Sequence, residues 1–125
     1  MELTRNELEI MEVLWEADRP LTGTDIVQMS VKKSWKDSSI HILINSLLRK
    51  EAIREAGFIR SGKGYSRTFE PTESGEKYYA DVLANIANKT SVATLFSALF
   101  KSNSLSKDTI QELEEMLSKK KKELK

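Results

Sequence analysis

Apolar positions along the chain keep a helical period, break it once, and return to it. Leu8, Met11, Leu14 and Trp15 recur at three- and four-residue spacing, with Ile10 and Val13 widening the stripe, and predict a first helix. Thr4 is placed as its N-cap, Glu7 as the capping-box partner, and Leu3 against Leu8 as a hydrophobic staple. Asp18-Arg19-Pro20 stops it. The same start signal recurs at Leu21-Thr22-Gly23-Thr24-Asp25-Ile26, predicting a second helix from about 23 to 33 with Ile26, Val27 and Val31 as anchors. A loop around Ser34-Trp35-Lys36 leads into a third helix, capped by Asp37 or Ser38 and running to about Lys50. Its apolar face is Ile40, Leu43, Ile44, Leu47 and Leu48, which leaves Ser38, His41, Ile42, Asn45 and Arg49 on the other side.

After Lys50 the period shortens to an alternation. Ile53 to Arg60 and Tyr65 to Glu70 have strand character, and Gly62-Lys63-Gly64 between them marks a hairpin turn that Pro71 later ends. Tyr65, Arg67 and Phe69 share one face of that hairpin. Helical spacing then returns from Thr72 to Lys89 through Tyr78, Tyr79, Val82, Leu83 and Ile86. A short helix carrying Val92, Leu95, Phe96, Leu99 and Phe100 follows and is broken at Lys101-Ser102-Asn103-Ser104. Leu105-Ser106 caps a last helix through Ile110, Leu113, Met116, Leu117 and Leu124.

The overall charge of +1 hides a reversal along the chain. Residues 1–31 hold seven acidic side chains against two basic ones, whereas residues 32–67 hold nine basic against three acidic. A polyanion would meet the middle third. The absence of cysteine excludes disulfides, thiolate metal sites and a cysteine nucleophile, and a single histidine excludes an all-histidine metal site. The first residues lack a basic n-region and an apolar h-region, and no run is long enough to span a bilayer, so a cytoplasmic protein without membrane insertion is expected. No cofactor and no enzymatic activity are expected either. Gly62-Lys63-Gly64 lacks the spacing of a phosphate loop, and Asp37 with His41 has neither nucleophile nor pocket beside it.

Three helices followed by a hairpin is the order of a winged helix-turn-helix, here a mainly α fold with a small β wing, placed at residues 1–72. The third helix would enter the major groove, and Lys33, Lys36, Arg49, Arg60, Lys63 and Arg67 fall where phosphate contacts belong. The competing reading is a winged protein-interaction module that leaves DNA alone. Trp15 is read as core, and Trp35 as either core or a neighbour of a phosphate. Lys119 to Lys122 reads as a solvated helix end, favoured there by the helix dipole. Residues 73–125 carry more apolar surface than three short helices cover by themselves, so a helical dimerisation domain and a homodimer are expected.

Glu9-Ile10-Met11-Glu12-Val13-Leu14-Trp15, the Trp35 loop with Ser39-Ile40 and Leu43-Ile44…Leu47, Tyr65…Phe69-x-Pro71, and the phenylalanine-bearing segment before Leu105-Ser106 resemble the penicillinase and methicillin-resistance repressor family (BlaI/MecI/CopY type) over nearly the whole chain. The resemblance implies a dimeric repressor on palindromic double-stranded DNA operators. Ser38, Ser39, His41, Ile42 and Asn45 would read bases, and Val92, Leu95, Phe96, Leu99, Phe100, Ile110, Leu113 and Leu117 would pair two copies. The chain departs from the family pattern at Lys36, where serine or threonine commonly caps the recognition helix, and at His41, where arginine is often found. Ile42 stands in place of a small polar residue, either against a thymine methyl or packed on its own domain. A membrane sensor protease cuts β-lactam-responsive members at an Asn-Phe bond that aligns with Leu99-Phe100, and the missing asparagine argues against that partner here. Copper-responsive members use a C-terminal cysteine cluster, which this sequence lacks.

Overall fold

The computed structural model describes residues 2–124 and divides them into two compact units that meet at Asp81 and Val82. In the first unit, α1 (Arg5–Ala17) starts as its capping box predicts: the Glu7 N–H donates to Thr4 Oγ1, and the Thr4 N–H donates to the Glu7 carboxylate. Asp18, in the left-handed region at φ 53°, turns the chain out of the helix ahead of Pro20. Thr22 and Asp25 form the same reciprocal pair at the start of α2 (Gly23–Met29).

That helix ends at Met29, short of the predicted 33. Ser30 folds its hydroxyl back onto the Ile26 carbonyl at 2.6 Å and takes an extended ψ, which closes the helix. Val31 therefore lies outside it and is 87% exposed instead of anchoring the core. The third helix also begins differently. Asp37–Ser39 form a 3-10 turn before α3 (Ile40–Arg49), and neither Lys36 nor Ser39, the residues ahead of each, makes a side-chain cap. The Asp37 carboxylate, expected as a cap, pairs instead with Lys33 at 2.7 Å.

The hairpin is part of a three-stranded antiparallel sheet of order β1-β3-β2, made of β1 (Leu21–Thr22), β2 (Ile53–Ser61) and β3 (Gly64–Pro71). The extra strand arises because a helix N-cap residue adopts β-region angles: Thr22, at φ −79° and ψ 166°, caps α2 and pairs with Thr68 in one conformation. Gly62, at φ 59°, takes the first position of the two-residue turn, where a left-handed residue matches the strand twist. A bulge lies between Glu55, opposite Phe69, and Gly57, opposite Thr68; Gly57 sits at φ 142°, a conformation left to glycine.

The core joins Ile10, Met11 and Leu14 of α1, Ile26 of α2, Ile40, Ile44 and Leu47 of α3, and Leu21, Ile53 and Phe69 of the sheet. Trp35 belongs to this core at 6% exposure, which decides between its two readings. The first unit continues past residue 72. Thr72 leaves the helical register by donating its hydroxyl to the Glu51 and Ala52 carbonyls, and α4 (Gly75–Ala87) starts after it with Ser74 accepting from the Lys77 N–H. Tyr78 and Tyr79 of this helix lie 5.4 and 5.7 Å from the Trp15 ring, whose N–H donates to the Glu73 carbonyl at 2.9 Å.

The second unit takes the end of α4, α5 (Val92–Ser102) and α6 (Lys107–Glu123), the last two capped by Ser91 and Ser106. Among the described residues of this unit, no side chain is buried. No helix of the protein is long and apolar enough to cross a membrane.

Candidate nucleic-acid interface

Helix α3 has two rows. Ile40, Ile44 and Leu47 turn into the core, and Ser38, His41, Ile42, Asn45 and Arg49 form an exposed row at helical spacing, with Ser39 half-buried beside it. Ile42 is 71% exposed and so does not pack on its own domain.

Two carboxylates of α1 fix the position of this helix. Glu7 is almost fully buried and accepts from Lys50 Nζ at 2.6 Å, from the Ser46 hydroxyl and from the Thr4 N–H at 2.8 Å. Burial raises its pKa, but the hydrogen bonds from Lys50, Ser46 and Thr4 outweigh burial and hold it down at about 2. Lys50 and Ser46 both belong to the C-terminal end of the α3 segment, so one buried anion clamps that end to the start of α1. At the other end, Glu9 accepts from the Ser34 N–H at 2.8 Å and its hydroxyl at 2.7 Å, and these bonds lower the Glu9 pKa. Part of the acidity of the first third thus serves to hold the basic middle in place.

The six predicted cations differ in their pairing. Lys33 is bound to Asp37 and lies over the Trp35 ring at 5.4 Å. Arg67 is bound to Glu55 at 2.6 Å and covers the Phe69 ring at 5.2 Å. Lys36, Arg49, Arg60 and Lys63 form no ion pair among the described residues and are exposed. Lys36 sits ahead of the 3-10 turn, Arg49 in the last turn of α3, and Arg60 and Lys63 at the tip of the wing.

A shallow groove runs between the first turn of α2, α3 and β3, bordered by Thr24, His41, Ser66 and Arg67 over a floor of Ile44 and Phe69. Thr24 and Ser66 were not among the predicted contacts. Thr24 is exposed in the first turn of α2, and Ser66 alternates with Arg67 on β3; only the tertiary fold brings both beside His41.

In the second unit Val92, Phe96, Leu99, Phe100, Ile110 and Leu117 are exposed, and Leu95 and Leu113 are half-buried. The Phe96 and Phe100 rings lie 5.8 Å apart along one face of α5. The Leu99-Phe100 bond is inside that helix.

Three helices, the third with a polar outer row, and a twisted hairpin beside it define a winged helix-turn-helix regulator. The chain belongs to the penicillinase repressor family, whose model matches residues 3–119. Among curated relatives, it is 27% identical over 124 residues to an uncharacterized 16.5 kDa protein of the ptsI 3′ region of Latilactobacillus sakei, covering 95% of this chain and 80% of that one. Among solved structures, it is similar to the adhesin competence repressor AdcR of Streptococcus pyogenes, with 15% identity, a TM-score of 0.47, and 98% and 81% of the two chains covered. It is also similar to MepR, a transcription regulator of the Staphylococcus aureus multidrug efflux pump MepA, at 18% identity, a TM-score of 0.49, and 99% and 82% coverage.

Proposed function

We propose that this protein is a homodimeric repressor that binds palindromic operators in the cytoplasm, α3 lying in the major groove and the wing against the flanking duplex. The observation that carries the reading is the exposed row on α3, flanked by the four unpaired cations Lys36, Arg49, Arg60 and Lys63. Ser38, His41, Ile42 and Asn45 face outward together, with Ser39 at the edge. Hydroxyl, imidazole and amide groups are suited to base edges, and the exposed isoleucine to a thymine methyl. The four cations supply the sequence-independent attraction to phosphates, and Lys33 and Arg67, each already bound to a carboxylate, add less to it. Dimerisation through Val92, Leu95, Phe96, Leu99 and Phe100 of α5 and Ile110, Leu113 and Leu117 of α6 would present two such rows to the two halves of a palindrome.

The test separates base contacts from phosphate contacts. Selection from a random DNA pool supplies the operator, and gel shifts at several salt concentrations then compare operator with random duplex. His41→Ala is expected to narrow the gap between the two while leaving the salt slope in place. Lys63→Ala is expected to weaken binding to both and to reduce the slope by about 1. Identical behaviour of the two variants would refute the assignment. Failure to retain any duplex at low salt would favour a protein-interaction module.

A further inference from the structure

The wing carries a feature that phosphate binding does not require. Phe58 and Tyr65 are 65% and 71% exposed, although nothing in the first unit needs large aromatics at an open hairpin. The register puts Phe58 opposite Arg67 and Tyr65 opposite Arg60, so the two aromatics are diagonal neighbours on one face of the sheet, each beside an arginine. Phe69 lies on that same face two residues beyond Arg67, and it turns into the core against the floor of the groove beside His41 and Ile44. The aromatic face of the wing is therefore the face on the side of α3, and it continues the exposed row of that helix toward the tip at Gly62 and Lys63.

We infer that Phe58 and Tyr65 are a second sequence reader, packing on the sugar edges and floor of the minor groove beside the site held by α3, and favouring A·T over G·C there. This rests on the DNA-binding reading above. The occupant follows from the charges around the pair: Arg60 and Lys63 have no carboxylate partner among the described residues, so the apolar patch is framed by cations suited to a duplex backbone. An apolar side chain approaching the minor groove is obstructed by the guanine N2 amino group, which A·T pairs lack. Partly unstacked or narrowed steps accept apolar and arginine side chains there, and A·T-rich sequences supply such grooves.

The experiment uses the full-length protein and three duplexes that share the selected operator core but carry A·T, G·C or inosine·cytosine pairs at the flanks. Inosine·cytosine presents the major groove of G·C without the amino group in the minor groove. The parent protein is expected to bind the G·C-flanked duplex roughly three- to tenfold more weakly than the A·T one, and inosine·cytosine to restore most of that loss. F58A and Y65A, both at exposed positions, are expected to flatten the difference while the salt slope and thermal melting stay at parent values. Parent-like discrimination in both variants, or no recovery with inosine·cytosine, would overturn the wing contact and leave the repressor reading intact. A pool that yields no operator at all would overturn both.

Discussion

Glu7 does the work of three residues. It completes the α1 capping box, accepts from Ser46, and pairs with Lys50, all while almost fully buried. Folding lowers its pKa from 4.5 to about 2, so as pH falls the unfolded chain takes up the proton first. Its contribution is accordingly complete above about pH 4.5 and is lost as the pH drops toward 2, a range worth about 3 kcal/mol. Urea denaturation at pH 7 and at pH 3 checks this: Glu7→Gln is expected to be less stable than the parent at pH 7, with the gap closing at pH 3. A gap of the same size at both would mean that the carboxylate charge is not what holds α3. The capping half of this role is legible in Thr4-Arg5-Asn6-Glu7, because it spans three residues. The half that clamps α3 joins positions some forty residues apart, as does the pairing of Glu9 with Ser34 at shorter range, and no local pattern encodes either. The same limit applies to Arg67, whose type and place on the wing suggested a phosphate ligand before the register brought Glu55 beside it.

Elements whose limits are set by short-range bonds agree with the sequence, and those limited by long-range ones do not. The starts of α1, α2 and α6 follow from Thr4, Thr22 and Ser106, each accepting from the N–H three positions on. The end of α2 and the 3-10 entry into α3 depend on a serine folding back and on Lys33 drawing Asp37 away, and the apolar spacing is silent about both. Thr22 connects the two cases, since the extended angles that let it cap α2 also let it pair with Thr68 and close the sheet. Thr22→Ala removes the acceptor from a buried cap and is expected to cost about 1–2 kcal/mol in chemical denaturation, with Thr22→Ser recovering most of it. Equal losses in the two variants would assign the role of Thr22 to its methyl group and to packing instead.

At the scale of the whole molecule the two units are stabilised differently. The first surrounds a core drawn from α1, α2, α3 and the sheet, whereas the second has, among its described residues, no buried side chain. Val92, Phe96, Leu99 and Phe100 nonetheless repeat along α5 at helical spacing, and Ile110, Leu113 and Leu117 do so along α6. The sequence already indicated this excess of apolar surface, but composition does not say what covers it. A second copy is the economical answer, because two-fold pairing sets identical apolar rows against each other and joins two recognition helices in one particle. The parent chain is then expected to sediment as a dimer at micromolar concentration, and Leu99→Glu as a monomer, since the symmetry places two carboxylates in one interface. The helical content of the first unit should remain, and operator affinity should fall by about a hundredfold or more as the half-sites cease to be bound by a linked pair. A monomeric parent would refute the interface. A Leu99→Glu dimer that still binds the operator like the parent would move the interface away from α5 and leave α6, with Leu117→Glu, as the place to look for it.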